Sequence, residues 1–308
     1  MGCTTTTAML TIHNMATWMV SSYATVATKT ANGPKLTRGE LLASYCLTEP
    51  SAGSNAAALA AKAVNTRTEY VLTGNKVFIS GAGETDVLVV MARTGEAGAN
   101  GVSPFVVDAT SEGISFGRKE HKMGWNAQPT RAINFDQVQV PLDNLLGQEG
   151  DGFAMAMQGL DGGRINIATV GVGTAQQALN DALAYVQQRQ QFGKPIAAFQ
   201  GLQFKLADMN TELVAARQMV RLAAFKLDNK DADATTYCAM AKRFATDIGY
   251  QVCDEALQYF GGYGYMKEYP MERYLRDSRV HRILEGTNDI MRVIIARRML
   301  AADAQPIL

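Results

Sequence analysis

The stretch Gly147-Gln148-Glu149-Gly150-Asp151-Gly152 separates two different periodicities, and that contrast decides the fold. From about 42 to 146, apolar residues come in short runs or alternate with polar ones, as strands do. Val87-Leu88-Val89-Val90-Met91 and Phe105-Val106-Val107 read as strands, and Ile133-Asn134-Phe135 belongs to another that stops near Pro141. Tyr70-Val71-Leu72 and Val77-Phe78-Ile79 flank Thr73-Gly74-Asn75-Lys76, which predicts a hairpin. Recurrent short strands with no helical pattern between them argue for a compact antiparallel β domain.

Beyond Gly152 the period becomes helical. Ala168, Val172, Ala175, Leu179, Leu183 and Val186 recur at three- and four-residue steps. Leu206, Met209, Leu213, Ala216, Val220, Ala223 and Leu227 do so more regularly, Ala241, Phe244, Ile248 and Val252 mark a third helix, and 289–301 a fourth. Four long helices with short connections predict an antiparallel bundle. At the other end, residues 3–30 are rich in Thr and Ala with apolar residues throughout, and read as one mostly enclosed helix. The resulting fold class is α+β: a helical segment over 1–35, a β domain over 36–147 and a helical bundle over 148–308.

Composition excludes several classes. The chain has 308 residues, 47% of them hydrophobic, enough for a substantial core. Lys+Arg and Asp+Glu balance at 29 each, so neither nucleic acid nor an anionic membrane is implied as a partner. No apolar run of bilayer-spanning length occurs. The four cysteines, Cys3, Cys46, Cys238 and Cys253, form no CxxC pair and read as reduced thiols of an intracellular protein. The three histidines, His13, His121 and His281, are far apart, which argues against a metal site. The opening Met-Gly-Cys-Thr-Thr-Thr formally fits a myristoylation pattern, but the helical run behind it makes coincidence the better account.

Among chemistry-bearing segments, Glu285 stands out. It follows Ile283-Leu284, precedes Gly286-Thr287-Asn288, and sits where a helical pattern begins. A carboxylate leaving an apolar wall there would be partly desolvated, which raises its pKa and makes it a base near neutral pH. The plainer reading is a solvated or helix-capping Glu. Tyr45-Cys46-Leu47-Thr48-Glu49-Pro50-Ser51-Ala52-Gly53-Ser54-Asn55 ends a strand in a loop rich in hydroxyls and backbone donors, suited to a polar ring edge or phosphate, or else an ordinary turn. Phe78-Ile79-Ser80-Gly81 similarly delivers a hydroxyl into a glycine turn. Gly171-Val172-Gly173 lacks the third glycine and the preceding strand of a dinucleotide fingerprint, so helix packing explains it better. Phe260-Gly261-Gly262-Tyr263-Gly264-Tyr265 is a glycine helix stop or a close approach to a flat ligand. Arg164 and Arg189 either serve the helices that carry them or clamp a phosphate or adenine.

Taken in order, these segments resemble the acyl-CoA dehydrogenase family. The carriers are YCLTEPSAGS at 45–54, FIS at 78–80, GWNAQPTRA at 124–132, RQQFGKP at 189–195, QYFGGYGY at 258–265 and ILEGTND at 283–289. Within the family the chain is most similar to the isobutyryl-CoA dehydrogenase branch, through GWNAQPTRA, LDGGRINIA at 160–168 and RDSRVHRILEG at 276–286. The resemblance implies an FAD enzyme that oxidises a short branched acyl-CoA, isobutyryl-CoA before 2-methylbutyryl- or butyryl-CoA, to the 2-enoyl thioester, as in valine degradation. Electrons would leave to an electron-transfer flavoprotein.

Carried over by the same resemblance, Glu285 is the catalytic base, and its backbone N–H polarises the thioester carbonyl. Tyr45, Leu47, Thr48, Gly53, Ser54, Phe78, Ile79 and Ser80 would hold the flavin, with Thr287 and Asp289 after the base. Arg189, Gln191, Phe192, Gln200, Gln258 and Gly262 match positions that reach the FAD of a neighbouring subunit, implying a homo-oligomer, usually a dimer of dimers. Ser54, Asp161, Arg164, Gly286 and Arg297 match substrate contacts. No metal is implied. The compartment would be the cytoplasm of a bacterium or the mitochondrial matrix of a eukaryote. Family members carry a further helical layer before the segment that begins here. That raises the expectation of a truncated chain with a looser pocket and, as the alternative function, a catalytically impaired scaffold. Ser51 and Asn55 stand where the family commonly has Gly and Asp, substitutions the loop should tolerate.

Overall fold

A computed structural model describes residues 3–301. The possible myristoylation site at Met1 and Gly2 lies outside them. Two compact units emerge: one takes residues 9–122 and 126–163, the other, among described residues, 3–8, 123–125 and 164–301.

Helices α1 (Thr4–Tyr23) and α2 (Val26–Thr37) replace the single N-terminal helix expected. The break has a local cause: Thr25 caps α2, its side chain accepting from the Thr28 amide. Nor is α1 enclosed all round, since Leu10 and Trp18 are exposed. The strands of the first unit are β1 (Ala43–Cys46), β2 (Lys62–Asn65), β3 (Glu69–Ser80), β4 (Val87–Arg93), β5 (Val102–Asp108), β6 (Ile114–Phe116) and β7 (Thr130–Pro141). They form a seven-stranded sheet of order β1-β4-β2-β3-β7-β6, with β5 paired to β4.

Two features differ from the sequence-based expectation. The sheet is not wholly antiparallel: β1 runs parallel to β4, and β2 meets β4 in parallel at Lys62 and Arg93. β2 and β3 intervene between β1 and β4, and such a long connection permits parallel pairing. The predicted hairpin at Gly74 is one continuous strand, β3, paired with β7 along its length. Gly74 is needed for close approach rather than for a turn: a Cβ there would lie 2.5 Å from the Ala61 Cβ. The register shifts at Leu72/Gly74 and again at Lys76/Ile79, leaving two bulges in place of a reversal.

The apolar run of β4 is explained by burial on both faces. Val87, Val89 and Met91 join a core with Met15, Met19, Leu36 and Met155. Leu88, Val90 and Ala92 point the other way, into a core with Tyr70, Leu72, Phe105, Ile133 and Phe135. His13 is a satisfied core residue: its Nδ1 accepts from the Ala43 amide at 3.1 Å, so Nε2 carries the proton donated to the Leu36 carbonyl at 3.0 Å.

The second unit is helical. Helix α3 (Gly152–Gln188) enters it at Arg164, and a small ribbon of β8 (Gln190–Gln191) and β9 (Lys194–Pro195) follows. Then come α4 (Gln200–Asp228), α5 (Ala234–Phe260), α6 (Met271–Arg279) and α7 (Asn288–Met299). Helices α3, α4, α5 and α7 are the four expected. The fifth, α6, is only nine residues long, and its apolar face of Met271, Tyr274 and Leu275 spans little more than one turn, too short a stretch to stand out in the sequence. Gly171 does serve packing, its carbonyl oxygen standing 3.0 Å from where a Cβ on Gly249 would be. Among the described residues, no helix is long and apolar enough to cross a membrane.

Candidate active site

In the first unit, the loop after β1 and the end of β3 are drawn together by backbone and buried charge. The Val77 amide donates to the Thr48 carbonyl at 2.9 Å, and Lys76 Nζ donates to the Leu47 carbonyl at 3.0 Å and Glu49 Oε1 at 2.7 Å. Glu49 also accepts from the Ala60 and Ala61 amides. The loop bearing Leu47, Thr48, Gly53 and Ser54 is thus pinned from behind, while Gly53 and Ser54 stay exposed. Tyr45 is buried, its hydroxyl donating to the Ala156 carbonyl at 3.2 Å. Ile79 puts its side chain into the core. Its neighbour Phe78 does the reverse, standing 69% exposed at φ 57°. A left-handed aromatic residue is strained by about 1–3 kcal/mol, a cost found at ligand contacts.

Gln128 is a residue that motif reading did not single out. It is buried with no hydrogen-bond partner for either amide atom among the described residues, and it lines a small cavity with His13, Ser80, Gly81 and Thr85. An exposed strained aromatic ring and an anchored loop bearing hydroxyls and backbone donors fit a flat heteroaromatic group.

In the second unit, the turn from α6 to α7 carries Glu285. A short 3₁₀ turn over Val280–Arg282 precedes it, and Thr287 caps α7, its hydroxyl accepting from the Ile290 amide at 3.2 Å. Glu285 has φ 53° and Gly286 φ 88°, two left-handed residues in succession. Gly286 has little alternative, since a Cβ there would lie 2.7 Å from Met291 Cε. Lys242 on α5, with 0% of its surface exposed, donates to the Gly286 carbonyl at 2.7 Å and to Asn288 Oδ1 at 2.9 Å. Asn288 Nδ2 in turn donates to Asp247 Oδ1 at 2.9 Å, and Arg282 pairs with Asp247 at 2.7 Å.

The electrostatics follow from enclosure. Both carboxylate oxygens of Glu285 are shut off from solvent and have no hydrogen-bond partner among the described residues. Burial pushes its pKa up to about 7, against the opposing pull of Lys242 and Arg164. Burial likewise pushes Lys242 down to about 7, with Glu285 acting against that fall. His281, fully enclosed beside the Trp125 ring at 5.6 Å, is driven down to about 3 and is neutral. A carboxylate that no protein donor satisfies is free to take a proton from a bound molecule.

Two segments 150 residues apart in the sequence meet near this turn. The Trp125 amide donates to Asp277 Oδ1 at 2.6 Å, Arg276 Nη1 donates to the Met123 carbonyl at 2.9 Å, and a Cβ on Gly124 would lie 2.6 Å from the Arg276 carbonyl oxygen.

The other candidate residues fall into separate places. Arg164 is buried, and its Nη2 lies 4.0 Å from where a Cβ on Gly286 would be. Asp161 is also buried but belongs to the first unit. Asp289 is exposed and pairs with Arg292, and Arg297 is exposed in the last turn of α7. Arg189 stacks over the Tyr263 ring at 5.7 Å, joining the end of α3 to the segment bearing Gly262. Gln191, Gln200, Gln258 and Gly262 are exposed, and Phe192 stands 90% exposed at φ 54°.

Comparison with known proteins fits this geometry. A family model described as acyl-CoA dehydrogenase, middle domain, matches residues 44–138, and one described as acyl-CoA dehydrogenase, C-terminal domain, matches 150–300. The chain is 50% identical over 299 residues to the mitochondrial isobutyryl-CoA dehydrogenase of Bos taurus, covering 97% of this chain and 72% of that protein. Against the mitochondrial isobutyryl-CoA dehydrogenase of Dictyostelium discoideum it is 51% identical, with the same 97% and 72% covered. The solved structure of butyryl-CoA dehydrogenase from Megasphaera elsdenii matches with a TM-score of 0.93 at 39% identity, over 95% of this chain and 77% of that one. A sheet unit, a helical unit and a sequestered carboxylate on a left-handed turn thus accompany extended sequence identity, and the chain belongs to the acyl-CoA dehydrogenase family of oxidoreductases.

Proposed function

We propose that the protein is an FAD-dependent dehydrogenase of short branched acyl-CoA thioesters, with isobutyryl-CoA preferred, delivering electrons to an electron-transfer flavoprotein. The observation that carries this reading is Glu285: a carboxylate with no donor on either oxygen among the described residues, held on a strained turn and raised to about 7. The 50% and 51% identity to two isobutyryl-CoA dehydrogenases supports the substrate.

FAD, when bound, supplies the two-electron acceptor for the hydrogen that leaves the substrate's β-carbon. The remaining work falls to the chain. Glu285 removes the α-proton, and its backbone N–H donates to the thioester oxygen, where negative charge develops. Arg164, Asp161, Ser54, Gly286 and Arg297 bind and orient the acyl-CoA. Tyr45, Leu47, Thr48, Gly53, Ser54, Phe78, Ile79 and Ser80 hold the flavin, with Thr287 and Asp289. Arg189, Gln191, Phe192, Gln200, Gln258 and Gly262 reach the cofactor of a second copy in a homo-oligomer, a dimer of dimers. The exposed, strained Phe192 supports that assignment.

Anaerobic titration of the purified protein with a panel of acyl-CoAs tests the reading. The expected result is a yellow protein that bleaches fastest with isobutyryl-CoA. Discrimination against butyryl- or 2-methylbutyryl-CoA should be about 10- to 200-fold, as one methylene or its placement in an apolar pocket allows. A preparation that takes up no FAD, or that no acyl-CoA bleaches, overturns it.

A further inference from the structure

Lys242 is a primary amine with no exposed surface, placed in the N-terminal third of α5 behind the Glu285 turn. An ammonium in such a place is costly unless its protons are engaged. Here they are engaged by the Gly286 carbonyl at 2.7 Å and Asn288 Oδ1 at 2.9 Å, while among the described residues neither oxygen of Glu285 receives a hydrogen bond. While it holds its proton, Lys242 acts on the carboxylate through space and leaves the carboxylate lone pairs open. A direct hydrogen bond would have occupied the oxygen that must accept a proton.

We propose that Lys242 is a positioning residue for Glu285: it ties the left-handed turn to α5 and supplies positive charge that favours the carboxylate without binding it. The inference rests on Glu285 being the base. Other charges face the same pair. Arg164 on α3 adds a second cation, and His281 on the preceding turn is neutral. Asp247 on α5 is offset by Arg282, Arg243 and the α7 residue Arg292, and Arg292 also holds Asp289. Lys242 and Arg164 therefore set the field at the carboxylate, and Lys242 is also bonded to the adjoining peptide.

The test is an infrared titration of the Glu285 carboxyl band, assigned by its loss in Glu285→Gln, in wild type, Lys242→Met and Lys242→Gln. It needs no substrate. Removing the cation makes the carboxylate harder to form, so the midpoint should rise by at least about one pH unit in both variants. Lys242→Gln, which keeps a donor for the turn, should lose less thermal stability than Lys242→Met. A folded neutral variant whose midpoint stays at the wild-type value overturns the proposal, whatever its Tm. If neither variant folds, carbon-13 labelled lysine in the wild type decides. The Lys242 resonance should respond in the pH window of the carboxyl band, and independent titrations would overturn the link. A wild type inert toward every acyl-CoA would sink the proposed function, yet leave the midpoint comparison readable.

Discussion

Lys76 and Glu49 form an ion pair of 2.7 Å in which neither partner is exposed, directly behind the loop that bears Leu47, Thr48, Gly53 and Ser54. Two further donors, the Ala60 and Ala61 amides, converge on the same carboxylate. Lys76→Met would leave a buried anion without its cation, a change worth about 3–5 kcal/mol. The expected outcome is a lower urea midpoint together with reduced flavin content. A variant unfolding at the wild-type urea concentration would show the pair to be dispensable.

Glu285→Gln keeps the shape of the turn and removes the base. Flavin content should stay near wild type, while anaerobic reduction by isobutyryl-CoA falls at least ~10²-fold, the low end of what a general base contributes. Reduction at an undiminished rate would remove Glu285 from the mechanism.

The same carboxyl gives a stability signature. Its folded pKa is raised from an ordinary 4.5 to about 7, so between those values the native state holds a proton that the unfolded chain has released. That contribution is fully present below pH 4.5 and is lost as pH rises through 7. Glu285→Gln does not titrate, so its Tm should gain on the wild type from about pH 4.5 to 7 and hold that gain above. In the wild type the reduction rate should climb through pH 7 as the carboxylate forms. A Tm difference that is flat with pH would contradict the burial argument.

Gly286→Ala forces a side chain onto φ 88° and into Met291 Cε at 2.7 Å. Strain of this kind costs about 1–3 kcal/mol. The variant should melt earlier and lose reduction rate more than flavin affinity, measurable by calorimetry and stopped-flow absorbance. Equal Tm and equal rate would mean the turn is softer than its geometry suggests.

Asp277→Ala strands the buried Trp125 amide, which now donates to Asp277 Oδ1 at 2.6 Å. Leaving such a donor unpaired costs about 1–3 kcal/mol. Asp277→Asn retains an acceptor and should cost less. Thermal unfolding of the two variants side by side checks the order.

Much of the fold could be read from patterning because period is a local property. The helices at α3, α4, α5 and α7 repeat apolar residues every three or four positions, β4 is apolar from Val87 to Ala92, and β5 contains the run Phe105-Val106-Val107. The misreadings arose where a partner outside the window decided. Gly74 looks like a turn residue, yet it lies within a strand because the Ala61 backbone passes against it. Helix α6 is too short for its apolar residues Met271, Tyr274 and Leu275 to repeat, and its Arg276 and Asp277 are met by the 123–125 backbone. Thr25 ended a helix that composition alone ran on to residue 30.

The candidate site divides in the same way. By itself the chain's order of residues determined the division into strands then helices at 147–152, the family, and the position of Glu285 before Gly286, since each is written in contiguous residues. Only the tertiary structure decided that Glu285 is shut from solvent, that Lys242 lies 43 positions upstream yet bonds to the next carbonyl, and that Gln128 is left unsatisfied beside Ser80. Burial and proximity between distant positions depend on how separate elements pack, and no local window of sequence contains that information.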